Sequence, residues 1–83
     1  METICLFGAD YQNSREVHAA LRRLLRLPEY YGMNADALND LLGEREPVQL
    51  WIAGYGAEET AATLRLISRV FADNGGTVKE VNC

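Results

Sequence analysis

Asp36 and Asp40 are the residues whose types and spacing point most directly to chemistry in this chain. They stand at i and i+4, so a helix would carry both carboxylates on one face, about a turn apart. Such a pair can serve acid–base work, hold a cation, or offer two negative charges to a basic surface. Asp36 would lie in the first helical turn, where the dipole favours a carboxylate. Asp40 would lie near the C-terminal end, where a carboxylate is disfavoured and repels its neighbour by a few tenths of a kcal/mol. A helix that accepts this small penalty has a use for Asp40 or simply exposes a solvated acidic face. Spacing leaves both readings open.

The other candidates narrow the choice. His18 is the only histidine. It falls on a different helix pattern, where a structural or surface role outweighs that of ligand or base. No Ser–His–Asp or Cys–His set can be assembled. Asp36 and Asp40 lack further metal ligands. Gly54-Tyr55-Gly56 before a helix has part of a phosphate-loop pattern, but it lacks the full fingerprint, and Glu58 and Glu59 would repel an anion. The expectation is a non-enzyme with no catalytic residues, metal or cofactor. Cys5 and Cys83 are expected to be reduced thiols. Tyr30 and Tyr31, beside Gly32, read either as interface anchors or as core covers, and a split is expected, one ring inward and one partly exposed. Trp51 is expected in core or half-buried packing, facing opposite Val48, Leu50 and Ile52.

Charge gives the surface its direction. The chain has 12 acidic and 8 basic residues, a net of −4. Residues 27–46 hold Glu29, Asp36, Asp40, Glu44 and Glu46 against Arg45 alone, and so account for that whole net of −4. Direct nucleic-acid binding is disfavoured, since phosphates call for a basic patch. A basic protein partner is the natural expectation. No apolar run approaches the ~20 residues of a membrane helix. The chain opens on a strand-like run with no leader pattern, which predicts a cytoplasmic protein. Its 83 residues predict one domain, 1–83.

These residues need elements to position them. Glu2 to Gly8 reads as a strand. Asn13 or Ser14 caps a helix carrying Val17, Leu21, Leu24 and Leu25 at helical spacing, with capping-box spacing from Asn13 to Glu16. Arg22, Arg23 and Arg26 suit its last turn, and Pro28 marks its boundary. Leu27 to Met33 is a loop in which Gly32 is free to take positive φ. Asn34 caps a short helix, Ala35 to Leu42, stopped by Gly43. Val48 to Ala53 is a strand and Gly54 to Gly56 a turn. Ala57 to Ala72 is a helix with Ala61, Leu64, Ile67 and Phe71 buried and Leu66 and Val70 widening the stripe. Thr77 to Val81 is the last strand. The order predicts a small α/β domain: a three-stranded parallel sheet packed with three or so helices, joined by crossovers long enough for parallel pairing.

From Leu27 to Leu42 the chain reads Leu-Pro-Glu-Tyr-Tyr-Gly-Met-Asn-Ala-Asp-Ala-Leu-Asn-Asp-Leu-Leu. This segment closely resembles the central segment of the barstar family, intracellular inhibitors of barnase-type ribonucleases. The resemblance implies a barstar-like fold and an inhibitor rather than an enzyme. It implies that the loop and acidic helix enter the active-site cleft of a basic, extracellular-type or toxin ribonuclease. Asp40 would replace a substrate phosphate there and Asp36 would add a second acidic contact. By the same resemblance the partner-facing surface takes in Tyr30, Tyr31, Gly32, Asn34 and Ala37. It extends over Asn39, Gly43 and Glu44. A monomeric blocker is the expected form. Three departures stand out. Asn39 takes the place of a bulky aromatic in a family member, the segment after the acidic helix is shorter, and Arg65 and Arg69 occupy a region of the last helix where an acidic contact is expected. The competing readings are a protein-binding module or immunity protein aimed at another basic toxin or regulator, and a small enzyme or metal binder using Asp36 and Asp40.

Overall fold

Alternation of apolar residues builds the sheet. In the computed structural model, which describes residues 2–81, strands β1 (Glu2–Leu6), β2 (Val48–Ile52) and β3 (Thr77–Glu80) pair in the order β1-β2-β3. Both pairings are parallel, with Ile4 opposite Leu50 and Leu50 opposite Val78. Ile4, Leu6, Val48, Leu50 and Ile52 point to one face and are buried. The period of two sends Thr3, Gln49, Trp51 and Lys79 to the other face. Trp51 is therefore a surface residue, 36% exposed, with the Lys79 amine 5.8 Å from its ring centroid. It is more open than the core or half-buried placement expected.

Three helices, α1 (Ser14–Leu25), α2 (Ala35–Leu42) and α3 (Glu58–Asp73), cover the apolar face. Val17, Leu21 and Leu25 of α1, Leu38 and Leu42 of α2, and Leu64, Ile67 and Phe71 of α3 meet in one core. The α/β class with a parallel three-stranded sheet and three helices is as expected. Leu66 departs from expectation. It lies outside the arc set by Thr60, Leu64, Ile67 and Phe71 and is 50% exposed, whereas Val70 does join the core. Thr60 is fully buried and donates to the Tyr11 carbonyl at 2.9 Å. Strands β2 and β3 end one residue early and α3 starts one residue late, with Ala57 in the capping position.

The helix ends follow from local hydrogen bonds. The Asn13 side chain accepts from the Glu16 N–H at 3.0 Å, and the Glu16 carboxylate accepts from the Gln12 N–H at 2.7 Å. This reciprocal pairing is a capping box displaced by one residue. At the other end Arg26 adopts φ 55, and the Leu27 N–H bonds the Arg22 carbonyl at 2.9 Å. Helix α1 thus ends in a Schellman-type turn with arginine where glycine is usual, and Pro28 follows. Between β2 and α3, Gly56 has φ 67, and a Cβ there would collide with the Gly8 carbonyl. Only glycine fits where this turn crosses the end of β1. Any pairing of Cys5 with Cys83 lies outside the described residues.

Candidate protein-interaction site

The loop from Leu27 to Asn34 is fixed from both sides. On the α1 side the Tyr31 hydroxyl and His18 Nδ1 hydrogen-bond at 2.6 Å, with ring centroids 5.8 Å apart. Both residues are buried. Burial pushes the His18 pKa down and the Tyr31 pKa up to about 12, because each charged form would lose its water. His18 is thus a structural residue, as expected, but its service to the loop has no signal in the local pattern. On the α2 side the Asn34 Oδ1 accepts from the Ala37 N–H at 2.8 Å, while its Nδ2 donates to the Gly32 carbonyl at 3.0 Å. This second bond closes a turn around Met33. Met33, with φ 57, therefore takes the left-handed conformation that the sequence assigns to Gly32. The tyrosines split as expected: Tyr31 is 5% exposed and Tyr30 80%.

Helix α2 has only eight residues, too few to persist unaided. Its Asn34 cap, the burial of Leu38 and Leu42, and two ties at its end hold it. The Asn39 Oδ1 accepts from Asn74 Nδ2 at 2.8 Å, which joins α2 to the end of α3. Arg45 Nη1 donates to the Leu25 carbonyl at 2.8 Å, and Nη2 lies 3.6 Å from the Glu2 carboxylate. The one base of the acidic stretch is spent on the end of α1 and on a carboxylate elsewhere. Asp36 and Asp40 are both exposed and have no ion-pair partner among the described residues. Gly43 ends the helix with φ −65, a right-handed conformation, so it does not act as the left-handed stop that its type suggests.

Six of the ten residues singled out in the sequence line one hollow. Tyr30, Tyr31, Gly32, Ala37, Asp40 and Glu44, together with Leu41, enclose about 280 Å³. Asp36 lies on the exposed face of α2 beside it. Asn34, Asn39 and Gly43 serve the cap, the tie to α3 and the helix end. Leu41, His18, Arg45 and Asn74 were not singled out as parts of this surface. Leu41 follows from helical spacing with Ala37, but the other three act through contacts far apart in sequence. Chemically, the hollow offers an apolar floor, an exposed aromatic ring and carboxylates on one rim, a set suited to docking a cationic protein surface. Among the described residues no three His, Cys, Asp or Glu side chains converge as a metal site, and no helix is long and apolar enough to cross a membrane.

Comparison with known proteins bears on the chain as a whole. The family model described as Barstar (barnase inhibitor) matches residues 1–78. A Bacillus subtilis (strain 168) protein named "Putative ribonuclease inhibitor YrdF" is 43% identical over 42 residues. That alignment takes in 51% of this chain and 46% of the relative, so the match spans about half of each.

Proposed function

The chain belongs to the barstar family, and on that premise we propose that it is a protein inhibitor of a basic, barnase-like ribonuclease. It acts in the cytoplasm as a single copy, without metal or cofactor. The observation that carries this reading is the exposed acidic face of α2, tied at both ends, beside an exposed tyrosine. A ribonuclease cleft must be cationic to hold RNA. Asp40, on the rim of the hollow, stands in for a phosphate, and arginine donors of the enzyme grip it as they would a phosphate. Asp36, a turn earlier, supplies a second charge at fixed spacing. Tyr30 packs on the enzyme surface, with Gly32 and Ala37 allowing close approach. Glu44 lies at the hollow's edge, while Asn34, Asn39 and Gly43 keep the ridge in place at its border. The ties from His18, Asn74 and Arg45 mean that little order is lost on binding, which favours affinity.

Calorimetric titration against a barnase-like ribonuclease tests the proposal. Asp40→Ala should leave the circular dichroism spectrum unchanged and weaken binding by at least ~2 kcal/mol, the hot-spot scale. Equal affinity of Asp40→Ala and the parent protein would remove Asp40 from the role.

A further inference from the structure

The surface on the other side of the tyrosine loop carries the opposite charge. Arg15, Ala19 and Arg22 recur at intervals of four and three, so they form one stripe along α1, and Arg26 follows in the cap, where the chain leaves the helix. Arg15 and Arg22 stand one turn before and one turn after His18, the residue that holds Tyr31. Arg15 also lines an open groove of about 560 Å³ with Asn13, Ser14, Glu59 and the loop residue Met33. Arg15 thus borders the loop from the α1 side, as the acidic ridge borders it from the α2 side, and Arg26 directly precedes the loop. Among the described residues the only ion pair within 4.0 Å joins Arg45 to Glu2, so no carboxylate pairs with the row at that distance, although Glu59 lines the same groove as Arg15.

A row of cations beside the ridge has a physical cost for an inhibitor of a basic enzyme. It repels the very charge that Asp36 and Asp40 attract. Helix-dipole stabilisation accounts for Arg22 and Arg26 in the last turn, but not for Arg15 in the first turn, where a cation is disfavoured. The bases here are arginines throughout, the side chain that meets a carboxylate bidentately, and Lys79 is the only lysine. Specificity often needs such a repulsive element, because attraction alone would recruit any polycation.

Resting on the inhibitor reading, we propose that the α1 arginine row selects the partner: it docks on Asp and Glu side chains that rim the ribonuclease's cationic cleft. The acidic ridge then supplies general attraction to a basic enzyme. The arginine row rejects those whose positive surface continues past the cleft.

The sign of one effect tests this. The double variant Arg15→Glu, Arg22→Glu makes the inhibitor more negative, so general steering toward a basic ribonuclease predicts tighter binding. Docking on an acidic rim predicts the reverse, a Kd raised at least ~10-fold. The milder Arg15→Gln, Arg22→Gln pair should also raise Kd, and it decides the matter if the glutamate variant fails to fold. Unchanged or tighter binding by these variants, with Asp40→Ala still weakened, would overturn the row's role and leave the inhibitor reading standing. Loss of any Asp40 effect would instead remove that reading. A gel shift of the parent protein with a short single-stranded RNA, abolished by the same arginine changes, would assign the row to nucleic acid and overturn the proposal.

Discussion

Adjacent tyrosines with opposite fates show how much one hydrogen bond decides. Tyr31 is buried because its hydroxyl meets His18, and Tyr30 is turned outward as a result. Tyr31→Phe should leave a buried imidazole nitrogen unpaired and cost about 1–3 kcal/mol of stability, read as a lower thermal midpoint. Tyr30→Ala should leave that midpoint nearly unchanged and reduce ribonuclease affinity instead. Stability should also follow pH at these two side chains. The folded state keeps the Tyr31 proton up to about pH 12, beyond the ordinary value of 10.0, so stability holds below pH 10 and is lost between 10 and 12. The loss amounts to about 3 kcal/mol at ~1.4 kcal/mol per unit. His18 titrates below 6.5 because it is buried, so its stabilisation is present above that value and fades as the pH falls below it. Urea midpoints across the pH range should show both limbs. The alkaline one should shrink in Tyr31→Phe, and an undiminished limb there would assign it to other groups. The sequence identifies the tyrosines as a pair with divided roles. It conceals their fixing partner, because His18 and Tyr31 belong to different segments and local spacing carries no information about their meeting.

Helix α2 is the element that local rules describe best, and it is also where they mislead in detail. Asn34, Leu38, Leu42 and Gly43 define its two ends and its buried side, and the observed span matches the expected one. Asn34→Ala should remove the cap on Ala37 and the turn around Met33 together, at a cost of about 1–2 kcal/mol, measurable by denaturant unfolding. Gly43 looks like a conformational necessity and is not one. Its φ of −65 suits any residue, and a Cβ would meet neighbouring atoms at 3.4 Å or more, which is ordinary contact. Gly43→Ala should therefore stabilise the protein by about 0.4–1 kcal/mol through the unfolded chain. A destabilised Gly43→Ala protein would show that the helix end needs glycine after all. Two of the departures, Met33 for Gly32 and the exposed Leu66, share a cause. Residue type states what a position tolerates, while the hydrogen bonds and packing around it select what it adopts.

Across the whole molecule, charge is segregated rather than balanced. The acidic stretch and the arginine row lie on either side of one loop, so the protein presents a directional field to an approaching partner. Association with a basic ribonuclease should slow steeply as salt rises and the Debye length shrinks from about 10 Å at 0.1 M to about 3 Å at 1 M. Dissociation should respond far less, and stopped-flow mixing at several ionic strengths separates the two. A salt-independent association rate would rule out steering. The parallel pairing was legible, because long connections between short apolar runs favour crossovers over hairpins, whereas the strand order β1-β2-β3 was not. That same wiring has a consequence for timing. Thr3 of the first strand meets Gln49 of the second, 46 positions later, and no neighbouring pair of strands can zip up first. Chains wired this way assemble more slowly than those built from local contacts. The first strand leaves the ribosome long before its partner exists, and until then there is no platform for the acidic ridge. On the proposed inhibitor reading, a newly started chain therefore offers no protection until its synthesis is nearly complete.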